Sequence, residues 1–418
     1  MWRFIWGAGL GVLLAAAFAR EAAAQKAFTW EEIRSKFEAS NPTLRAASIG
    51  VDESRANETT AFLRPNPNFT ALLDQVDVFT TDPSRPLSPA LVSGTVTYLH
   101  ERQHKRELRR DSAQRTTDIV ADSQADLERT LLFNLRSAFV QGLQGKAVLR
   151  LAKENLGYYD KVLEVNRERF QVGGISQMDL DRLELQRIQY LSDLQTAEVN
   201  LRTAKIQLLS LLNDRTPVEQ FDVSGPYDFV PDISSLDDFR QDALATRPDL
   251  KAAARAVDKA ETDHQLAVAN GSTDPTFGFD VGKNPPIEHY IGISIGIPLR
   301  VFDRNQGEKL RTQLDIGRQQ RLAEAARAQV YSDVDSAYAS VSSTVALLKP
   351  YKQMYLQQAM RVRDTVSFAY EHGGASLLDF LDAQKEYRDT ELNYLNLVGS
   401  YMIATAQLNL AVGREVLQ

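Results

Sequence analysis

Displaced by 200 positions, the chain lies over itself without a gap, residues 158–213 on residues 358–413. Internal duplication at this length constrains a fold more than composition does, because each copy is one structural unit built twice. The shift pairs Gly173, Gly174, Ser176 and Asp179 with Gly373, Gly374, Ser376 and Asp379. Beyond each glycine pair the apolar residues step by three and four: Leu194, Ala197, Leu201, Ala204, Leu208 and Leu211, then Tyr394, Leu397, Tyr401, Ala404, Leu408 and Ala411. That spacing is a heptad stripe, and it predicts long helices that pack side by side.

The duplication reaches further upstream. Each half opens with a short helix, a turn and a longer helix: Trp30 to Ser40, Asn41-Pro42 and Thr43 to Leu63, then Leu236 to Thr246, Arg247-Pro248 and Asp249 to Asn270. Two strand-like segments follow in each half. Phe277, Phe279 and Val281 alternate with Gly278, Asp280 and Gly282, and Ile291, Ile293, Ile295 and Ile297 alternate with Gly292, Ser294 and Gly296. The first half offers Phe69, Ala71 and Leu73, then Val92, Val96 and Tyr98, with a bulge expected near Asp74. Thr80 to Pro89 and Lys283 to Glu288 read as exposed loops between paired strands. From Arg102 to Gln171 and from Arg304 to His372 the pattern is helical, broken only by Pro350, and roughly 70 residues of helix span about 100 Å. The return arms run from Ser176 to Asn213 and from Ser376 to Gly413.

The N-terminus carries Arg3, an apolar run from Phe4 to Ala19 and small residues at Ala22-Ala23-Ala24, the plan of an export signal cleaved near Ala24. The chain thus divides into a leader at 1–24, a first repeat at 25–213, an equatorial linker at 214–235 and a second repeat at 236–418. No later segment is expected to cross a bilayer as a helix. The net charge of -7 is spread along helix faces with no basic block, which argues against nucleic acid as a partner. With no cysteine, disulfides, thiol catalysis and an acylated N-terminal cysteine are excluded.

Four strands with one apolar face are too few to close a bacterial barrel, and lipid does not tolerate an open sheet edge. Three copies would supply twelve strands above a shared ring of helices. In their order and repetition the Asn41-Pro42 and Arg247-Pro248 turns, the run Ile297-Pro298-Leu299 with Phe302-Asp303-Arg304-Asn305-Gln306-Gly307, the glycine pairs, and Leu378-Asp379-Phe380-Leu381-Asp382-Ala383-Gln384 resemble the outer-membrane efflux protein (TolC) family. The run from Phe302 to Gly307 is most similar to the heavy-metal efflux branch. The resemblance implies a mainly α protein with two repeats of long coiled α-hairpins and two strands each. It further implies a homotrimer with a 12-stranded β-barrel in outer-membrane lipid, a periplasmic α-helical tunnel, a periplasmic adaptor, and an inner-membrane efflux pump of the RND class. By the same resemblance Asp379 and Asp382 fall on the family's acidic constriction, with Asp179 as the first-repeat partner in a channel gate.

Alternatives remain at this stage. Gly173-Gly174 and Gly373-Gly374 suit turns at helix tips, where Ser176 and Ser376 cap the next helix and Asp179 and Asp379 complete the cap. Asp382 is not explained by capping, and its spacing of three puts it on the face of Asp379. His100-Glu101-Arg102-Gln103-His104 matches the zinc-peptidase pattern, but no third ligand is evident. A polar cluster with Lys105 and Arg106 at the end of a strand suits it better. No nucleotide-binding loop and no nucleophile with its base stand in the sequence, so no catalytic residues, resident metal or cofactor are assigned. The competing function is a soluble periplasmic coiled-coil scaffold or adaptor, whose strands form a water-soluble domain.

Overall fold

The computed structural model describes residues 26–76, 90–230, 233–284 and 286–417. The leader at 1–24 and the loop from Thr80 to Pro89 lie outside the described residues. In chain order the elements are β1 (Lys26–Phe28), α1 (Trp30–Ser40), α2 (Pro42–Phe62), β2 (Asn68–Asp74), β3 (Leu91–Leu99), α3 (Lys105–Gln171), α4 (Gln177–Leu211), a 3₁₀ turn (Val218–Gln220) and β4 (Phe221–Val223). The second half holds α5 (Leu236–Thr246), α6 (Pro248–Asn270), β5 (Thr276–Asn284), β6 (Ile287–Gly296), α7 (Gln306–Pro350), a π turn (Tyr351–Tyr355), α8 (Leu356–Glu371) and α9 (Leu377–Val412). Two compact units result, one from residues 1–45, 127–246 and 331–418 and the other from 46–126 and 247–330, so each draws on both repeats.

In the first unit the equatorial stretch is a built structure. β1 pairs with β4 in parallel, Phe28 opposite Val223, an element that periodicity could not announce in three residues. Their side chains close a core of Ile33, Phe37, Leu135, Phe139, Leu208, Leu212 and Phe221. Asp222 sits between Lys146 at 2.6 Å and Lys205 at 3.0 Å. Burial pushes its carboxyl up, and hydrogen bonds from the two lysines outweigh burial and leave its pKa below the usual range. Asn41 explains the first Asn-Pro turn: its Oδ1 accepts from the amides of Thr43 and Leu44, and its Nδ2 donates to the Leu211 carbonyl at 3.1 Å. Pro42 occupies the first helical position, where no N–H is needed.

Pro350 likewise has no N–H for the helix ladder, and the next turn widens into π geometry over Tyr351–Tyr355. Beside that turn, Lys352 donates to both oxygens of Asp228 at 2.8 and 2.6 Å. Tyr227 donates to the Leu395 carbonyl, and the Tyr401 hydroxyl bridges the N–H and C=O of Val230. The linker is thereby tied to α9. By length and composition α9 is apolar enough to cross a membrane, contrary to expectation. Within the unit its Val398, Tyr401, Leu408, Ala411 and Val412 are core residues.

In the second unit, the helices meet through small and hydroxyl-bearing residues: Ser54 and Thr117 share a hydrogen bond at 3.0 Å, and Ser112 donates to Asp263. The four long strands form one antiparallel sheet in the order β2-β3-β5-β6. β2 pairs with β3 in unbroken register from Asn68 to Asp74, so the bulge expected at Asp74 is absent. The strand simply ends there, with Gln75 in the left-handed region, and the irregular register falls between Gly282 and Asn284. β5 runs on to Asn284 and β6 resumes at Ile287, which shortens the loop expected from Lys283 to Glu288.

Leu208 is fully buried at the centre of the equatorial core. Leu208→Ala is expected to lower stability by about 2–5 kcal/mol, read as an earlier unfolding transition by far-UV circular dichroism in detergent. An unchanged transition would show that this core does not carry the unit.

Candidate functional site

The register of the sheet sorts its side chains into two faces. One row joins Phe69, Val96, Phe279 and Ile293; the next on that face joins Ala71, Gly94, Val281 and Ile291; a third joins Tyr98, Phe277 and Ile295. The opposite face carries Thr70, Thr95, Asp280 and Gly292 in one row, Thr97, Gly278 and Ser294 in another, and Leu72, Ser93, Gly282 and Tyr290 in a third. Phe69 is 71% exposed, Ile291 74% and Ile293 81%. Leaving such a side chain in water forgoes about 1.5–3 kcal/mol, so a face made of them marks an interaction surface. β2 and β6, at the two edges, each have one side without a partner strand among the described residues.

At the strand-to-helix crossing after β3, His100 through His104 is not helical. Gln103 and His104 have φ of 59° and 56°, so the two histidines do not stand one helical turn apart. Glu101 instead accepts from both terminal nitrogens of Arg109, and Lys105 donates to the Ser272 carbonyl at 3.0 Å and to Asp274 at 2.6 Å. The polar cluster is what forms. No group of residues able to hold a metal occurs among the described residues.

The two helical hairpins end alike. Gly173 and Gly373 have φ of 77° and 76°. Gly174 N–H reaches back to the Arg169 carbonyl and Gly173 N–H to that of Phe170, and Gly374 and Gly373 repeat this with Ala369 and Tyr370. This is a Schellman end, in which a left-handed residue lets the last carbonyls be satisfied. Ser176 then caps α4 by accepting from the Asp179 amide at 3.1 Å. Ser376 caps α9 with a full capping box, since Asp379 also accepts from the Ser376 N–H and hydroxyl. Those hydrogen bonds hold the Asp379 carboxyl below the usual carboxylate range.

Asp379 and Asp382 are both exposed on α9, whereas Asp179 is half-buried. The structure adds Glu386 and Asp389, which continue the same row in heptad steps, with Asp389 beside Arg388 at 3.2 Å. The sequence reading missed the aromatic layer behind this row. Tyr159 stacks on Tyr190 at 4.5 Å and Tyr370 on Phe380 at 4.9 Å. Tyr159 donates to the Leu183 carbonyl, and burial raises its pKa. The hairpins α3–α4 and α8–α9 are joined through Tyr370 and Asn166 at 2.9 Å, and through Arg388 and Asp193 at 3.5 Å. One available signal was an aromatic three residues before each glycine pair, Phe170 and Tyr370.

The described residues are mainly helical, with paired long hairpins and one four-stranded antiparallel sheet. The structure agrees with that of CusC, whose structures describe transmembrane channel formation, at a TM-score of 0.76 and 17% identity, over 92% of each chain. The family model described as outer membrane efflux protein matches residues 239–414. The cobalt-zinc-cadmium resistance protein CzcC of Cupriavidus metallidurans is 24% identical over 417 residues, 97% of this chain and 94% of its own length. Outer membrane protein TolC of Escherichia coli is 21% identical over 306 residues, 68% of this chain and 62% of its own length. Residues 239–414 carry an outer membrane efflux protein domain, and the chain is homologous to CzcC and TolC.

A Cβ on Gly373 meets nothing within 4 Å, so its substitution costs only the left-handed backbone, about 1–2 kcal/mol. Gly374 lacks a positive φ and has ordinary space. Gly373→Ala is expected to speed hydrogen exchange at the α8–α9 tip, measured by mass spectrometry, while Gly374→Ala leaves it near wild type. Equal effects of the two would refute the Schellman assignment.

Proposed function

We propose that the chain is the outer-membrane channel subunit of a tripartite efflux system, a passive exit duct for small molecules or metal ions. The observation that carries this reading is the sheet, whose exposed Phe, Ile and Val face backs onto a face rich in Gly, Ser, Thr and Asp, with Leu72, Leu99 and Tyr290 toward its ends. A wall with lipid on one side and water on the other needs that division, and strands of 9 and 10 residues suit a tilted span. Homology to CzcC and TolC supports the same reading, as does an exposed helix surface suited to other copies. On α4, Met178, Leu185, Val199 and Ile206 recur at multiples of seven, and on α7 and α8 Leu347 and Phe368 do so with Met354 between them. Three copies complete twelve strands, and each unpartnered β2 edge finds a β6 edge in its neighbour.

In this trimer Asp379 and Asp382, repeated three times with Asp179 alongside, line the narrow end of the periplasmic tunnel as its gate. Opening separates hairpins joined at Tyr370 and Asn166 and at Arg388 and Asp193. The tips at Gly173-Gly174 and Gly373-Gly374 present six turns to a periplasmic adaptor and an inner-membrane pump of the RND class. The repeats at 25–213 and 236–418 are the halves from which each subunit is built, with the leader at 1–24 directing export. The energy for transport comes from the pump, because a duct performs no chemistry.

Two measurements test the reading. The protein is expected in the outer-membrane fraction, released only by detergent and cross-linked as a trimer; a monomer washed free by buffer would favour the soluble scaffold. In planar bilayers Asp379→Ala with Asp382→Ala is expected to reduce cation preference and block by multivalent cations. Unchanged currents would remove the two carboxylates from the gate.

A further inference from the structure

The two crossings from sheet to helix are built in opposite ways. After β3 the chain turns through His100–His104, and its charges are matched internally by Arg109 and Asp274. After β6 the last paired residue is Gly296, opposite Thr276, yet the alternation of the strand does not stop there. Ile297, Leu299 and Val301 continue the odd-numbered apolar series begun by Ile291, Ile293 and Ile295, and all six are exposed. Leu299 is 83% exposed and the adjoining Phe302 91%.

This exposure is held in place by the loop's own hydrogen bonds. Val301 N–H donates to the Leu299 carbonyl at 3.0 Å, Asn305 N–H to Asp303 at 2.8 Å, and Gln306 Nε2 to the Phe302 carbonyl at 3.2 Å. Asn305, with φ of 60°, anchors the segment by donating its Nδ2 to the Ala267 carbonyl at 2.7 Å. Part of the polar backbone is satisfied locally while the large apolar groups are turned outward, which makes this an ordered turn with an exposed apolar surface. Arg300 and Arg304 flank Phe302, and among the described residues neither has a carboxylate within ion-pair distance. The Nε of Arg300 is buried without a hydrogen-bond partner.

We propose that Ile297–Phe302 is a membrane-interface anchor that seats Leu299, Val301 and Phe302 at the boundary between acyl chains and headgroups, with Arg300 and Arg304 facing phospholipid phosphates. The inference rests on the reading of the sheet as a membrane wall and assigns a lipid contact to a segment outside the strands. Two features choose phospholipid as the occupant. The stripe is continuous with the apolar face of β6, and apolar side chains flanked by arginines match a layer that is oily on one side and anionic on the other. The segment fixes the depth of the sheet, as an aromatic belt does in a barrel.

Because the chain has no cysteine, single labels can be placed without background. Phe302→Cys, Ile293→Cys and, as an aqueous reference at a helix tip, Val172→Cys are each coupled to a nitroxide in the full chain. The labelled proteins are reconstituted in bilayers of phosphatidylethanolamine and phosphatidylglycerol. Collision rates with oxygen, which enters lipid, and with a water-soluble nickel chelate report depth by electron paramagnetic resonance. The expected result is a 302 label that favours oxygen and lies shallower than the 293 label, with the 172 label favouring nickel. A 293 label in lipid with a 302 label in water overturns the anchor and leaves the membrane wall standing. A 302 label shielded from both agents also overturns it, because another copy of the chain then covers the segment. Both labels in water overturn the anchor and the membrane wall together.

Discussion

A single copy of this chain presents a sheet it cannot finish. Its edge strands β2 and β6 keep one side of their backbone groups unpaired, and one face holds Phe69, Ile291 and Ile293 out to solvent. Among the described residues there is neither another strand for those edges nor a cover for that face. The two deficits are of different kinds. Open hydrogen-bonding edges call for more strand, whereas a bare apolar face calls for something oily. A closed barrel in a bilayer meets both at once, which is why the sheet bears more weight in the functional reading than any single side chain.

The helical part obeys a different economy. Hairpins as long as α3–α4 need well-defined ends, and both tips spend their two glycines on the same Schellman geometry before a serine cap. Behind the tips, Tyr159 on Tyr190 and Tyr370 on Phe380 pack with Leu163, Leu180, Leu183 and Leu377 in one core, and the Tyr159 and Tyr370 hydroxyls are hydrogen-bonded. Rigid ends suit elements that must keep their tips intact, and Tyr158, Ser367 and Gln384 add polar links between the hairpins. The equatorial layer is the reverse, a dense core clasped by β1, β4 and the Lys146–Asp222–Lys205 cluster.

The helices and strands were legible because their periods are long and their ends are signed. Asn41-Pro42 and Arg247-Pro248 marked helix starts through what proline lacks, and the paired glycines marked helix ends through what only glycine adopts readily. Three-residue strands have no period to detect, so β1 and β4 stayed hidden inside a stretch that reads as linker. The bulge placed at Asp74 was inferred from weak alternation, but the register is regular and the strand merely stops. His100–His104 shows the limit of a short motif: the residue types were right, and two residues with positive φ undid the geometry. For the acidic row, Asp379 and Asp382 stood out through the repeat and the resemblance. Glu386 and Asp389 were missed although their steps of seven from Asp379 and Asp382 already put them on the same helix face.

The π turn after Pro350 breaks an equivalence that the duplication would otherwise impose. α3 runs for 67 residues without interruption, while its counterpart is divided into α7 and α8 by a joint clasped to Asp228. In the proposed trimer, stiff staves would alternate with jointed ones, so its rotational order would be three even where six tips look alike. Bending of that assembly would concentrate at every other stave, and a sixfold set of identical ligands arriving from below would find two classes of seat.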